Sequence, residues 1–124
     1  MAEAIARYDA ADVIDASSAG VRPLGFIPDL TKRTLTMNGY TAEGLTSDNT
    51  TQARCNAADV IINMTGEPWE ESFSNLEKVE DWIVQDPYST DPETYQRVLE
   101  GIQRRIGQLA KGLREKRENR ATEK

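Results

Sequence analysis

No histidine occurs anywhere in the 124 residues, and there is a single cysteine, Cys55. The first absence excludes Ser-His-Asp and Cys-His catalysis and imidazole-based metal sites, leaving only weak carboxylate sites for a metal. The second excludes an internal disulfide and a two-cysteine redox pair. Long apolar runs are also missing. The longest, Ala57 to Met64, is interrupted by Asp59 and Asn63 and falls far short of a membrane span. The start, MAEAIARYDA, has neither the basic opening nor the apolar stretch of a secretory signal. A cytoplasmic protein with no metal and no cofactor is the expectation.

What is present fits a globular chain: 38% of residues are hydrophobic and 29% charged. One domain of this length buries about two thirds of the surface exposed by its unfolded chain. Charge is unevenly distributed. Residues 111–124 carry six basic and three acidic side chains, whereas everything before them carries nine basic and eighteen acidic. A nucleic-acid surface needs its basic residues on the folded body, where they are scarce, so no nucleic-acid partner is expected. The basic tail reads as a solvated helix end.

The pattern along the chain alternates helices and strands. Residues 2–10 read as a short helix around Ile5, and ADVIDASSAG as a strand at 12–17 ending in the small residues before Gly20. Asp29 is placed to cap a helix running to about Asn38, which Gly39 stops. TAEGLTSDNTTQ is polar and reads as a loop with one helical turn at most, and Thr51 to Ala57 as a helix. The segment ADVIINMTG then carries three consecutive β-branched residues, Val60 to Ile62. That continuous pattern predicts a strand buried on both faces, as in a helix-covered parallel sheet. Pro68 to Phe73 has room for a helical turn, and Val79 to Val84 is a third strand candidate leading to Gln85-Asp86-Pro87.

The last helix is the clearest element. Tyr95, Val98, Leu99, Ile102, Ile106, Leu109 and Leu113 advance by alternating steps of three and four, which puts them on one stripe. Two starts compete: Thr90 with Glu93 as a capping box, or Asp91 as cap with Pro92 at the first helical position. Three strands separated by helices predict a three-layer α/β fold, a small parallel sheet flanked by helices. Such sheets keep their chemistry at the carboxyl ends of the strands. Here those ends are SSAG (17–20), NMTG (63–66) and QDPY (85–88), all small, polar or acidic.

These segments together resemble the low-molecular-weight protein tyrosine phosphatases. Met1-Ala2-Glu3-Ala4 matches the end of the family's phosphate-loop signature, and Ser18-Ala19-Gly20 its small-residue turn after the second strand. Ala58 to Ile62 with Met64-Thr65 resembles the third strand, Asp86-Pro87-Tyr88 the general-acid loop, and the stripe from Tyr95 the C-terminal helix. The resemblance implies that Asp86 protonates the departing oxygen of a phosphate ester and later accepts a proton from water. Tyr88 would line the substrate entrance, and Ser18 would belong to the pocket. Pro87 fixes φ and stiffens the loop that aims the carboxylate.

The departures are as informative. The family's first strand, nucleophilic cysteine and phosphate-loop arginine precede the Met-Ala-Glu segment, and no C-x5-R occurs in these residues. Cys55 is no substitute, because the residue six positions on is Ile61; it reads as an inert, buried or half-buried thiol. The relay of thiols used by arsenate-reducing relatives is missing as well. Asp48 follows Ser47 where relatives often carry a basic residue, and residues 63–93 hold nine acidic side chains against Lys78 alone. Trp69 and Trp82 read as packing residues.

The expectation is therefore a single truncated phosphatase-like domain over residues 1–124, lacking the central first strand and inactive by itself. Phosphotyrosine or a small phosphoester would be the substrate of a longer form. The alternative is a non-catalytic interaction module or remnant. Without the central strand, the edges at 12–17 and 58–64 lose a partner, so the chain closes the gap, recruits a strand from another copy or is incomplete; in the alternative reading it self-associates into a homo-oligomer.

Overall fold

The computed structural model describes residues 1–20, 25–47, 51–68, 76–88 and 90–122. Its contacts separate into two compact units. The first is Met1–Ser18, Ile27–Leu45 and Pro87–Lys124, and the second is Ala19–Phe26 and Thr46–Asp86.

The first unit is helical: α1 (Ala2–Asp9), α2 (Asp29–Met37) and α4 (Pro92–Thr122), with α1 and α2 both packed on α4. The stripe behaves as its spacing predicts. Tyr95, Val98, Leu99, Ile102 and Ile106 are buried, together with Ala110, while Leu109 and Leu113 are half-buried toward the end. Ile5 from α1 and Leu35 from α2 are completely buried with Leu99. Each such aliphatic side chain contributes about 1.5–3 kcal/mol by leaving water.

Of the two competing starts for α4, the structure selects Asp91. Its Oδ1 accepts the Thr94 backbone N–H at 2.8 Å, and Pro92 occupies the first turn, where a missing N–H costs nothing. The Thr94 N–H and hydroxyl hold the Asp91 carboxyl below its ordinary range. Thr90 instead bonds the Pro87 carbonyl through its hydroxyl and its N–H. The start of α2 corrects the expectation. Pro28 is the N-cap, no side chain caps the helix, and Asp29 is its first residue. Asp29 acts only as a favourable charge in the first turn. Gly39 at φ +84° ends α2 as expected.

Polar clasps join the three helices. Asn38 and Gln96 exchange two amide hydrogen bonds, at 2.8 and 3.0 Å. The Tyr40 hydroxyl donates to Asp9 at 2.7 Å and accepts from Gln103 at 2.8 Å; burial pushes this phenol up. Tyr8 sets its ring edge-on to Tyr40, with centroids 5.6 Å apart. Arg114 forks onto both carboxylate oxygens of Asp12, at 2.8 and 2.9 Å, and Arg117 adds a contact at 3.6 Å. Two cations of the charged tail are thereby tied to the turn after α1, and the helix runs on to Thr122.

The strand expected at 12–17 does not form. The N–H groups of Val13 and Ile14 both bond the Ala10 carbonyl, at 3.1 and 2.8 Å. Donors that a strand would offer sideways are consumed in a turn, and Asp12 is held by the two arginines.

The second unit contains α3 (Gln52–Ala57), β1 (Ile61–Asn63), a 3₁₀ turn (Leu76–Lys78) and β2 (Val79–Asp81). Thr51 caps α3 by accepting the Arg54 N–H, and Lys78 finishes it by donating to the carbonyls of Cys55 and Ala58, at 2.6 and 2.9 Å. Cys55 is buried, as expected for a packing thiol. The strands run parallel, with Ile61 opposite Val79 and Asn63 opposite Asp81. The sheet thus has two strands among the described residues, not three. Burial on both faces is only partial: Ile61 and Ile62 are half-buried, and Val60 is exposed. Trp82 is a packing residue as expected, whereas Trp69 and the turn expected from Pro68 to Phe73 lie largely outside the described residues.

Two outcomes follow for the helical unit. Leu99→Ala is expected to cost about 2–5 kcal/mol, read from the urea midpoint; a loss below 1 kcal/mol would show that α4 is not its core. The Arg114 fork, the largest influence on Asp12, holds that carboxyl at about 2 against an ordinary 3.8. Because the folded value is depressed, the stabilisation is complete above 3.8 and disappears as pH falls through about 2. Carboxyl-carbon NMR titration should place the Asp12 midpoint there and move it upward in Arg114→Ala.

Candidate active site

Asp86 lies beyond the carboxyl end of β2, five residues past Asp81, in an exposed segment without regular secondary structure. It closes the second unit, and Pro87 opens the last segment of the first. This is the strand-end position where an open parallel sheet places chemistry. Tyr88 is exposed and belongs to the first unit, as does Ser18.

Ser18 is placed by a carboxylate that sequence reasoning did not single out as functional. Its Oγ donates to Glu3 Oε1 at 2.8 Å, and Arg7, one turn along α1, holds Glu3 Oε2 at 2.9 Å. Glu3 is buried, so its charge is compensated by two directed partners as burial requires. Ser18 spends its one proton on Glu3.

The carboxyl ends of both strands meet at Asn63. This is the most buried residue of β1, only 4% exposed. Its amide nitrogen donates to Asp81 Oδ1 and to the Glu67 carbonyl, both at 2.8 Å. Its oxygen accepts the Thr65 N–H at 3.1 Å and the Thr65 hydroxyl at 2.7 Å. The Asn63 carbonyl takes the Trp82 N–H at 2.9 Å, extending the pairing one residue beyond β2. The local signal was legible: a polar residue ending an apolar run, two positions before a threonine, is the pattern of an Asx turn.

The family model described as low molecular weight phosphotyrosine protein phosphatase matches residues 1–119. The chain belongs to the low molecular weight phosphotyrosine protein phosphatase family. Solved structures agree on the fold. An arsenate reductase in its reduced state is 23% identical, with a TM-score of 0.76 over 90% of this chain and 86% of that one. The tyrosine phosphatase amsI of Erwinia amylovora is 16% identical, with a TM-score of 0.77 over 90% and 82%. Wzb of Escherichia coli K30, solved with sulphate, is 21% identical, with a TM-score of 0.73 over 90% and 87%. No curated protein matches the sequence. The α/β class read from the sequence is therefore that of the family.

Two features of the family's chemistry have no counterpart in these residues: a C-x5-R motif, and any cysteine other than the buried Cys55. No group of three or more metal-ligating side chains occurs among the described residues, and no described helix is long and apolar enough to cross a membrane.

The Glu3–Ser18 bond generates a stability prediction. Ser18→Ala leaves a buried carboxylate short of a donor and is expected to cost about 1.5–3 kcal/mol in urea unfolding, as for hydrogen bonds to charged groups. No change would show that water replaces the hydroxyl.

Proposed function

We propose that this member of the phosphatase family carries the proton-transfer part of a cysteine-dependent phosphomonoesterase, acting on phosphotyrosine or a related small phosphoester. Asp86 is the acid. When a thiolate attacks phosphorus, the S–P bond forms and the P–O bond to the leaving group breaks, and Asp86 gives that oxygen its proton. When water then attacks, a new P–O bond forms, the S–P bond breaks, and Asp86 takes the proton back. Tyr88 lines the entrance beside an aromatic substrate, and Ser18 belongs to the pocket wall. This route uses no metal or cofactor. A cytoplasmic setting goes with it, supported by the single buried cysteine.

The observation that carries the reading is Asp86-Pro87-Tyr88 at the carboxyl end of β2 in a chain whose match to the family extends over residues 1–119. A general acid alone supplies about 10²–10⁴ in rate and cannot replace the group that attacks phosphorus or the donors that hold its oxygens. The second unit carries nine acidic and three basic side chains, a field that repels a phosphate dianion unless an arginine cradle offsets it. The 124-residue polypeptide is accordingly inactive by itself.

Self-association is the second reading, favoured by a sheet of two parallel strands beside exposed Val60 and Ile83, the latter 92% exposed. A concentration-dependent increase in sedimentation coefficient supports it, and a sharp monomer at all concentrations rejects it.

The catalytic reading is tested with p-nitrophenyl phosphate. The 124-residue chain should show no turnover above background. With a strand and C-x5-R phosphate loop joined ahead of residue 1, it should gain turnover that Asp86→Asn lowers about a hundredfold or more. Turnover by the chain alone, or insensitivity of the joined chain to Asp86→Asn, would contradict the assignment.

A further inference from the structure

We infer that Asn38 is a site of spontaneous deamidation, gated by its clasp with Gln96, and that its conversion to an acid unlatches α2 from α4. Of the asparagines in the chain, at positions 38, 49, 56, 63, 75 and 119, Asn38 alone is followed by glycine. A glycine there puts no side chain in the way when its backbone nitrogen turns on the amide before it. The Gly39 nitrogen bonds to Cγ of Asn38, the bond from Cγ to Nδ2 breaks, and Nδ2 leaves as ammonia with the Gly39 proton. Water then adds to either carbonyl of the cyclic imide, a ring C–N bond breaks, and the Gly39 nitrogen regains a proton. An aspartate or an isoaspartate remains.

The turn that requires this glycine also holds the reaction back. Gly39 takes φ +84°, in the left-handed region. Its N–H bonds the Thr36 carbonyl at 3.2 Å, and the Tyr40 N–H bonds the Leu35 carbonyl at 2.9 Å, which together make a Schellman motif. Asn38 itself has φ −102° and ψ 13°. Cyclisation needs the Gly39 nitrogen to eclipse Cβ of Asn38, a turn of more than a right angle in ψ that breaks both bonds of the motif. The leaving group is held as well. Both amide hydrogens of Asn38 are spent, on the Thr34 carbonyl at 2.7 Å and on Gln96 Oε1 at 2.8 Å. Its Oδ1 accepts the Gln96 amide at 3.0 Å. Two of these three bonds come from Gln96, so α4 controls when the Asn38 amide is free to react.

Deamidation reverses the chemistry of the clasp. A carboxylate has no proton to give, so an oxygen in place of Nδ2 meets the Thr34 carbonyl and Gln96 Oε1 as acceptor against acceptor. Gln96 escapes by turning its amide over only at the cost of pointing its oxygen at Glu100, to which its nitrogen now donates at 3.2 Å. The Thr34 carbonyl has no such freedom, being fixed in the helix backbone. The new charge also falls at the C-terminus of α2, where the helix dipole is already negative. An isoaspartate lengthens the backbone just before Tyr40, whose hydroxyl joins Asp9 to Gln103.

The experiment follows Asn38 by peptide mass mapping of the 124-residue chain at mildly alkaline pH. Unfolded in urea, the chain should convert Asn38 faster than any other asparagine, and folding should slow that conversion about tenfold or more. Gln96→Ala should raise the rate in the folded chain about fivefold or more. Gln103→Ala, which cuts a different clasp on α4, should leave it near that of the parent. Gln96→Glu keeps an acceptor for Asn38 and loses the donor; it should give a smaller rise and serves if Gln96→Ala does not fold. Conversion of Asn38 in urea no faster than that of the other asparagines would overturn the site. Equal acceleration by Gln96→Ala and Gln103→Ala, or a folded rate equal to that in urea, would overturn the gating. The second arm reads the product: Asn38→Asp should raise amide exchange at Leu35 and Tyr40 about tenfold or more, and by more than at Leu99. Asn38→Ser, which loses the amide without gaining a charge, should do so less and serves if Asn38→Asp does not fold. No rise, or an equal rise at all three amides, would overturn the unlatching.

Discussion

The two short parallel strands among the described residues make a poor sheet. Three residues on each side supply few ladder bonds, parallel pairing is the weaker kind, and isolated two-stranded sheets are marginal in water. What holds their carboxyl ends together is one buried side-chain amide, with donors to Asp81 and Glu67 and an acceptor for Thr65. The segment that carries Asp86 follows this junction in the chain. At the other end of the sheet, Lys78, the residue just before β2, does comparable work by closing the end of α3.

The helical unit is built on a different physical basis. Its order comes from one long amphipathic helix whose stripe is covered by α1 and α2, and its specificity from polar clasps between them. The Asn38–Gln96 pair and the Asp9–Tyr40–Gln103 chain are satisfied at every buried atom, so they fix helix register without leaving an unpaired group. Net charge separates along the same division. The first unit carries twelve basic and twelve acidic side chains, so the whole formal charge of −6 resides in the second unit with Asp86. If Asp86 is the acid, as proposed, it serves a phosphate ester in such a field only when a cationic cradle accompanies it.

Helices were legible in the sequence because a helix is a local structure. The stripe from Tyr95 to Ile106 needed only its spacing, and Gly39 announced its own turn. Strands were less legible because a strand exists through its neighbour. Val13 and Ile14 have the composition of one, yet their N–H groups close a turn onto Ala10 and Asp12 answers to arginines a hundred residues away. Asp29 illustrates a smaller failure: as a cap it was chemically suitable, but Pro28 occupies the capping position and Asp29 is already helical. Asp86, Tyr88 and Ser18 were singled out as candidates only through the family's pattern. Glu3 and Asn63 were passed over because a buried polar residue inside an apolar segment reads as an interruption until its partners are known.

The central proposal is a division of labour in which these residues deliver a proton and do not grip phosphorus. Titration of the 124-residue chain with orthovanadate, followed by isothermal calorimetry, tests it most directly. The account predicts no saturable binding, since the second unit is strongly acidic and no C-x5-R occurs in the sequence. Saturable binding of one vanadate per chain, lost on replacing residues near Asp86, would show that these residues hold the oxyanion by themselves and would contradict it.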